Sequence, residues 1–249
     1  MRPLGCLPDP PHRRYGAPLS TLVSPGYTLD ALDWSPSIDA GLEQRGSSCV
    51  GAALAHALEL QARLNGVDLD PSYLAIYTGA RELEHPGLAK LPDVGCYIGR
   101  AIEWLTTWGV VARARWGDLS PLEQPVPIDV LEAGATATLA GVYRTEETGA
   151  ARLQRIREAL TVGHGVVFGM LVDDAYEAGP GELFDGLTGD SRGGHAQLLV
   201  GYRPGACKVL NSWGTRWNGD GYAWLSDAWL AGEHVYDFTV ITAAPGSIR

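Results

Sequence analysis

The chain has 249 residues, 45% of them hydrophobic, which is enough to build one large domain or two small ones around a substantial core. Its 29 acidic and 19 basic residues give a net charge of −10, which disfavours nucleic acid and anionic membrane surfaces as partners. No apolar run approaches the roughly 20 residues that a membrane helix needs, and the opening residues lack the apolar stretch of a secretory signal. The sequence therefore predicts a cytoplasmic or virion-associated protein.

The cysteine content argues against a disulfide framework, because such frameworks belong to small secreted domains that lack a core. The chain has four cysteines, at positions 6, 49, 96 and 207. Their number and spacing predict a reducing compartment. No cluster of histidine and cysteine has the spacing of metal ligands, so we expect neither a metal nor another cofactor.

The first 40 residues stand apart because they contain seven prolines and little apolar periodicity. Residues 1–40 are predicted to form an extended N-terminal arm or strap that packs over a domain. Residues 41–249 are predicted to form that domain. Its mainly helical half covers about 41–125 and its β-rich half about 126–249.

Apolar residues at helical spacing predict three helices in the first half, at residues 50–64, 71–82 and 97–108. The second half predicts a helix at residues 151–162 and strands at 139–143, 166–172, 197–202, 208–211, 222–225 and 236–241. Helices that precede a largely antiparallel set of strands are typical of the α+β class. We therefore expect an α+β fold with a cleft between its two halves.

Cys49 lies where a thiol can become reactive. It follows Gly46-Ser47-Ser48 at the start of the first predicted helix. Unpaired N–H groups and the positive end of the helix dipole favour the thiolate there. A lone cysteine before a helix is more often a buried structural residue, so a catalytic role requires a base nearby.

His195 and Asn211 are the candidates for that base and its partner. His195 lies in Gly193-Gly194-His195-Ala196 before an apolar strand, and Asn211 follows 16 residues later. A cysteine–imidazole pair needs a third group to fix the tautomer of the ring. An amide carbonyl can accept the imidazole N–H without adding a charge.

These residues resemble the papain-like cysteine peptidases, in particular a bacterial or phage-type branch without a long propeptide. Three motifs match in order: Ser48-Cys49 opening an apolar helix, Gly194-His195-Ala196 before a strand, and Asn211-Ser212-Trp213-Gly214 followed by Trp217 and Gly221-Tyr222. The 146 residues between cysteine and histidine fall in the range of roughly 130–150 that is typical of papain-type enzymes. The resemblance covers about residues 33–242. It implies a papain-like fold whose helical and antiparallel β halves face each other across a substrate cleft.

The resemblance implies catalytic roles for three of these residues. Cys49 is expected to attack a peptide carbonyl and form a thioester acyl-enzyme. His195 is expected to act as general acid and base, and Asn211 to orient it. The implied partner is a protein or peptide substrate, and no cofactor is implied.

Three further residues match positions in the cleft of the family. Trp213 is expected to cover the Asn–His hydrogen bond and exclude water from it. Gly95 matches the glycine whose backbone lines the substrate strand, because a side chain there would block the strand. Gly194 is expected to allow a similar close approach beside the histidine.

The chain departs from the family at the second oxyanion donor, a glutamine that usually lies six residues before the cysteine. Here Glu43 occupies that position and Gln44 lies five residues before Cys49. Either the loop is one residue shorter and Gln44 still reaches, or the donor is lost, at a cost of about 3–4 kcal/mol in transition-state stabilisation. We expect Gln44 to be the donor.

The sequence is also compatible with two other functions. The first is a catalytically weak or inactive papain-fold binding or structural module, for example a component of a phage particle or other assembly with an unknown partner. The second is cleavage of cell-wall peptides.

The acidic pair Asp173-Asp174 is predicted to be a solvated loop end. The alternative is that the pair forms an acidic rim of the cleft that favours basic substrates.

Overall fold

The computed structural model describes residues 2–11, 15–26, 28–133, 135 and 137–243. Parts of the predicted arm, at residues 1, 12–14 and 27, and of the predicted β-rich half, at residues 244–249, lie outside the described residues. The described part of the chain is an α+β structure, as the sequence predicts.

The helical half contains three long helices, α1 Cys49–Leu64, α2 Tyr73–Glu84 and α3 Ile98–Trp108, and the short helix α4 Ile128–Glu132 follows it in the chain. In α1, 13 of its 16 residues are buried, which is typical of a helix that packs on more than one side. It contacts α2 within the helical half and two strands of the β half, β7 Gly193–Arg203 and β10 Val235–Ala243. The start of α1 is therefore held between the two halves.

The β half is built on an eight-stranded sheet. Its remaining long strands are β5 Leu139–Arg144, β6 Val166–Val172, β8 Ala206–Leu210 and β9 Tyr222–Ser226, and its helices are α5 Gly149–Thr161, α6 Asp174–Ala178 and α7 Asp227–Ala231. The order β5-β10-β6-β7-β8-β9 is antiparallel throughout. This arrangement places β6 and β7, which have the most fully buried runs, at the centre of the sheet.

The described residues among the first 33 form three two-residue strands, which are β1 Cys6–Leu7, β2 Ala17–Pro18 and β3 Leu32–Asp33. β1 pairs in parallel with β4 Cys96–Tyr97 of the helical half. β2 pairs in parallel with β5, and β3 pairs antiparallel with β7. The start of the chain therefore contacts both halves.

The structure confirms the four predicted helices and six predicted strands, with ends that differ by up to four residues. The short helices α4, α6 and α7 were not predicted, because five residues are too few for a helical pattern to show. Among the described residues, no helix is both long and apolar enough to cross a membrane.

Candidate active site

Cys49 is the first residue of α1 and is 0% exposed. The turn before it depends on Gly46, which has a φ of 55° and whose α-carbon faces the carboxylate of Asp93. Asp93 accepts hydrogen bonds from the backbone N of Ser47 at 3.0 Å and from the hydroxyl of Tyr77. These contacts fix the loop that presents the cysteine.

His195 lies on β7 and is fully buried. Its Nε2 lies 2.7 Å from Oδ1 of Asn211, which also accepts the backbone N–H of Ser212 at 2.7 Å. An oxygen that accepts both bonds requires Nε2 of the neutral ring to carry the proton, which leaves Nδ1 as an acceptor. Within the described part of the chain, Nδ1 has no hydrogen-bond partner, so it is available to take a proton.

Trp213 covers the imidazole. Its ring stacks on His195 with centroids 4.3 Å apart and an interplanar angle of 20°. Two further rings, Trp217 at 5.5 Å and Tyr176 at 6.1 Å, pack edge-on against Trp213. The imidazole therefore has a rigid apolar wall on this side, which keeps water from the Asn–His bond.

Gln44 points toward the cleft and Glu43 points away from it. The Gln44 amide accepts the hydroxyl of Ser212 at 2.7 Å through Oε1 and donates through Nε2 to the carbonyls of Pro3 and Gly46, at 3.3 and 3.0 Å. Glu43 instead extends toward Arg216, 3.9 Å from its guanidinium, and its side chain is 63% exposed. Ser212 thus fixes the amide so that its N–H donors face the cleft, a positioning contact that the sequence pattern did not indicate.

Residues 2–7, which we call the N-terminal segment, occupy the cleft. The backbone N of Gly5 donates to the carbonyl of Gly194 at 3.2 Å, and the backbone N of Cys96 donates to the carbonyl of Gly5 at 2.9 Å. The segment is therefore hydrogen-bonded to both walls. The sequence predicts an arm over residues 1–40, but nothing in its pattern places residues 2–7 beside Cys49, because this pairing is set by contacts between residues far apart in the chain.

The segment fits because three glycines lack side chains where the backbones meet. A Cβ on Gly5 would collide with Ser47 and Gly95, and one on Gly95 would collide with the backbone of Gly5. A Cβ on Gly194 would collide with the carbonyl of Cys6. Gly95 and Gly194 thus line a channel that is just wide enough for an extended backbone.

The covered site holds both reactive groups in their neutral forms. Burial raises the pKa of the Cys49 thiol to about 11, although backbone N–H groups of Ala196, Gly5 and Val50 favour the thiolate. Burial lowers the pKa of His195 to about 4, and the charge of Arg2 lowers it further, whereas the bond to Asn211 raises it. At neutral pH the covered site therefore contains a thiol and an imidazole rather than an ion pair.

One acidic residue is placed differently from the sequence prediction. Asp173, predicted to be a solvated loop end, is 2% exposed. Its carboxylate caps α6 by accepting the backbone N–H of Tyr176 at 2.9 Å, and it accepts a second backbone N–H from Thr188 at 2.6 Å. The prediction for Asp173 was wrong because an aspartate before a short helix was not read as an N-cap.

The remaining cysteines are buried free thiols, and two of them, Cys6 and Cys96, are paired residues in the β1–β4 ladder beside the cleft. Over the described ranges, no group of three or more His, Cys, Asp or Glu side chains is arranged as metal ligands.

Comparison with known proteins gives one curated relative and many solved structures. No family model matches the chain. An uncharacterised peptidase C1-like protein of Acanthamoeba polyphaga mimivirus is 28% identical over 211 residues, which are 78% of this chain. The match spans 66% of the length of that relative.

Similar solved structures are cysteine proteases and their precursors. Xylellain, a cysteine protease from Xylella fastidiosa, has a TM-score of 0.76 at 23% identity, with 97% of each chain covered. Digestive procathepsin L2 proteinase from the Tenebrio molitor larval midgut has a TM-score of 0.75 at 18% identity, covering 97% of this chain and 78% of that one. Bromelain from Ananas comosus, in complex with the inhibitor E64, has a TM-score of 0.66 at 18% identity, covering 86% of this chain and 99% of that one. The chain therefore has the papain-like cysteine protease fold.

Proposed function

We propose that the protein is a cysteine peptidase that hydrolyses peptide bonds through a thioester on Cys49. The observation that carries this proposal is the His195–Asn211 bond of 2.7 Å under the Trp213 ring. It fixes the tautomer that leaves Nδ1 free to act as a base, on a strand next to the start of α1. The peptidase C1-like relative and the fold support the same reading.

The chemistry follows from these groups. Nδ1 of His195 takes the proton of the Cys49 thiol, and the sulfur adds to the carbonyl carbon of the substrate. The C–N bond then breaks as the imidazolium gives that proton to the leaving amine, and a thioester remains. Water attacks the thioester with Nδ1 accepting its proton, the C–S bond breaks, and the acid product and the thiol are released.

The oxyanion of each tetrahedral intermediate needs donors that face the cleft. Gln44 Nε2 supplies one, since it donates to the Pro3 carbonyl of the N-terminal segment at 3.3 Å. We assign the backbone N–H of Cys49 as the second donor, because it belongs to the unpaired first turn of α1. The segment must leave before a substrate carbonyl can take this place.

A binding or structural module is the second candidate function. It is favoured by the burial of Cys49 and His195 and by the neutral forms that this burial imposes. If the N-terminal segment never leaves, the cleft stays closed and the fold serves to present a surface. The two functions differ in what happens when the segment is displaced.

The test displaces the segment by a single substitution in the full-length chain. Gly5→Val places a branched side chain where a Cβ collides with Ser47 and Gly95, which are both wall residues. We expect this variant to hydrolyse unfolded casein, and the double variant Gly5→Val/Cys49→Ala to release no peptides. Equal release by the two variants would exclude the peptidase and leave the binding module.

A further inference from the structure

Arg2 lines an open pocket together with Asp174, Glu177, Ala178 and Arg192. Its guanidinium carbon lies 5.0 Å from the centroid of the Trp213 ring. The same guanidinium donates to the backbone carbonyl of Glu177 at 3.0 Å, and the backbone N of Arg2 donates to the Glu177 carboxylate at 2.6 Å. Both the side chain and the backbone of Arg2 are therefore hydrogen-bonded to Glu177.

Two carboxylates line the pocket. Arg192 pairs with Asp174 at 3.2 Å and with Glu177. In the covered state Arg2 lies against Glu177 and the Trp213 ring. When the N-terminal segment leaves, the carboxylates and the face of the indole remain, and both attract a cation.

The pocket lies beside the group that protonates the leaving amine. Trp213 contacts both His195 and Arg2, and the charge of Arg2 acts on His195. The leaving amine must approach His195, so the substrate residues that follow the scissile bond lie on this side. Two residues of extended chain span about 7 Å, which brings the side chain of the first or second residue into reach of the pocket.

We propose that the Arg2 pocket is a subsite for an arginine side chain at the first or second position after the scissile bond, a specificity that rests on the proposed peptidase function. Arginine suits it better than lysine, because a planar guanidinium can stack on the indole and donate to the Glu177 carbonyl at the same time. In the covered state, the Arg2 side chain of the N-terminal segment then takes the place of the substrate arginine.

The first experiment compares paired peptides in the Gly5→Val enzyme. Each pair has arginine or citrulline, its neutral isostere, at the first or second position after the cleaved bond. We expect kcat/KM to be at least tenfold higher for arginine at one of these positions, and the ratio to fall toward one in Gly5→Val/Glu177→Gln. The exposed Glu182→Gln serves as the matched control and leaves the ratio unchanged.

A second measurement needs no peptidase activity. In the otherwise unchanged chain, Arg2→Gln removes the contacts between the Arg2 guanidinium and the pocket, which weakens binding of the N-terminal segment to the cleft. Alkylation of Cys49 by iodoacetamide is therefore expected to become at least tenfold faster. The rate for Arg2→Lys is expected to lie between those of Arg2→Gln and the natural chain. Equal alkylation of Arg2→Gln and the natural chain overturns the subsite. Equal cleavage of the arginine and citrulline peptides also overturns it and leaves the peptidase function intact, whereas cleavage of neither peptide overturns both.

Discussion

The amide of Asn211 determines which nitrogen of His195 is the base. Its Oδ1 accepts hydrogen bonds from the ring Nε2–H and from the Ser212 backbone N–H, at 2.7 Å each. Asn211→Ala removes the acceptor that selects this tautomer. We expect kcat for peptide hydrolysis to fall by about tenfold or more in the Gly5→Val background, with the 10²–10⁴ that general acid–base catalysis contributes as the upper limit. A kcat within twofold of the parent variant would show that the ring needs no such orientation.

Gln44 is expected to stabilise the transition state rather than the bound substrate. In the same background, Gln44→Ala should lower kcat by about 10²–10³ with little change in KM, the size observed on removing one oxyanion donor. Glu43→Gln is the matched control, because the Glu43 carboxylate points toward Arg216 and its loss should leave both constants unchanged. The reverse result, a large loss of kcat in Glu43→Gln alone, would show that the assignment of the oxyanion donor to Gln44 is wrong.

The sequence motifs single out Cys49, His195 and Asn211 as candidate catalytic residues, and the structure places them on the two walls of one cleft. The motifs left open whether Gln44 or Glu43 faces the cleft, because a one-residue shift in a loop alters the direction of every side chain. In the structure Gln44 faces the cleft, because its amide oxygen accepts a hydrogen bond from the Ser212 hydroxyl at 2.7 Å.

The N-terminal segment is the element that controls access to Cys49. We expect alkylation of Cys49 at pH 7 to be at least tenfold faster in Gly5→Val than in the natural chain, as the substitution removes both the cover and the burial that raises the thiol pKa. Gly189→Val is a matched control, since a Cβ there meets nothing within 4 Å. Mass spectrometry of the labelled peptide gives the rate. If Gly5→Val and Gly189→Val both react at the rate of the natural chain, the N-terminal segment does not control access to the thiol.

Elements with many residues could be predicted, and pairings between distant short segments could not. The start of α1 was predicted within one residue because its apolar spacing is regular and Asn65-Gly66 ends the run. β1 and β4 have two residues each and lie about 90 positions apart, so neither propensity nor periodicity signals their pairing. This explains why the segment that covers the cysteine was seen only in the structure.

Over the whole molecule, α1 joins the two halves, and its buried His56 links their stability to pH. Burial lowers the pKa of His56 to about 4, with a further contribution from Arg113. The unfolded chain binds this proton at about pH 6.5 and the folded chain only near pH 4, so stability is lost as the pH falls through that window. We expect His56 to cost about 2 kcal/mol of unfolding free energy between pH 7 and pH 5.

Urea unfolding at pH 7 and pH 5 measures this loss. His56→Leu should lose about 2 kcal/mol less than the natural chain between the two pH values, whatever its stability at pH 7. Replacing the less buried His85 by glutamine provides the comparison and should leave the loss unchanged. A loss in His56→Leu equal to that of the natural chain would mean that His56 is solvated in the folded protein.

The Cys49 thiol and the His195 imidazole are expected to form a reactive pair once the N-terminal segment is displaced. The most direct measurement is the rate of Cys49 alkylation by iodoacetamide from pH 4 to pH 9, in Gly5→Val and in Gly5→Val/His195→Ala. We predict rapid alkylation of Gly5→Val well below the pKa of about 8.5 of a free thiol, and the loss of this acidic limb in the double variant. Two identical curves that follow an ordinary thiol titration would contradict this prediction, because they would show that His195 does not activate Cys49.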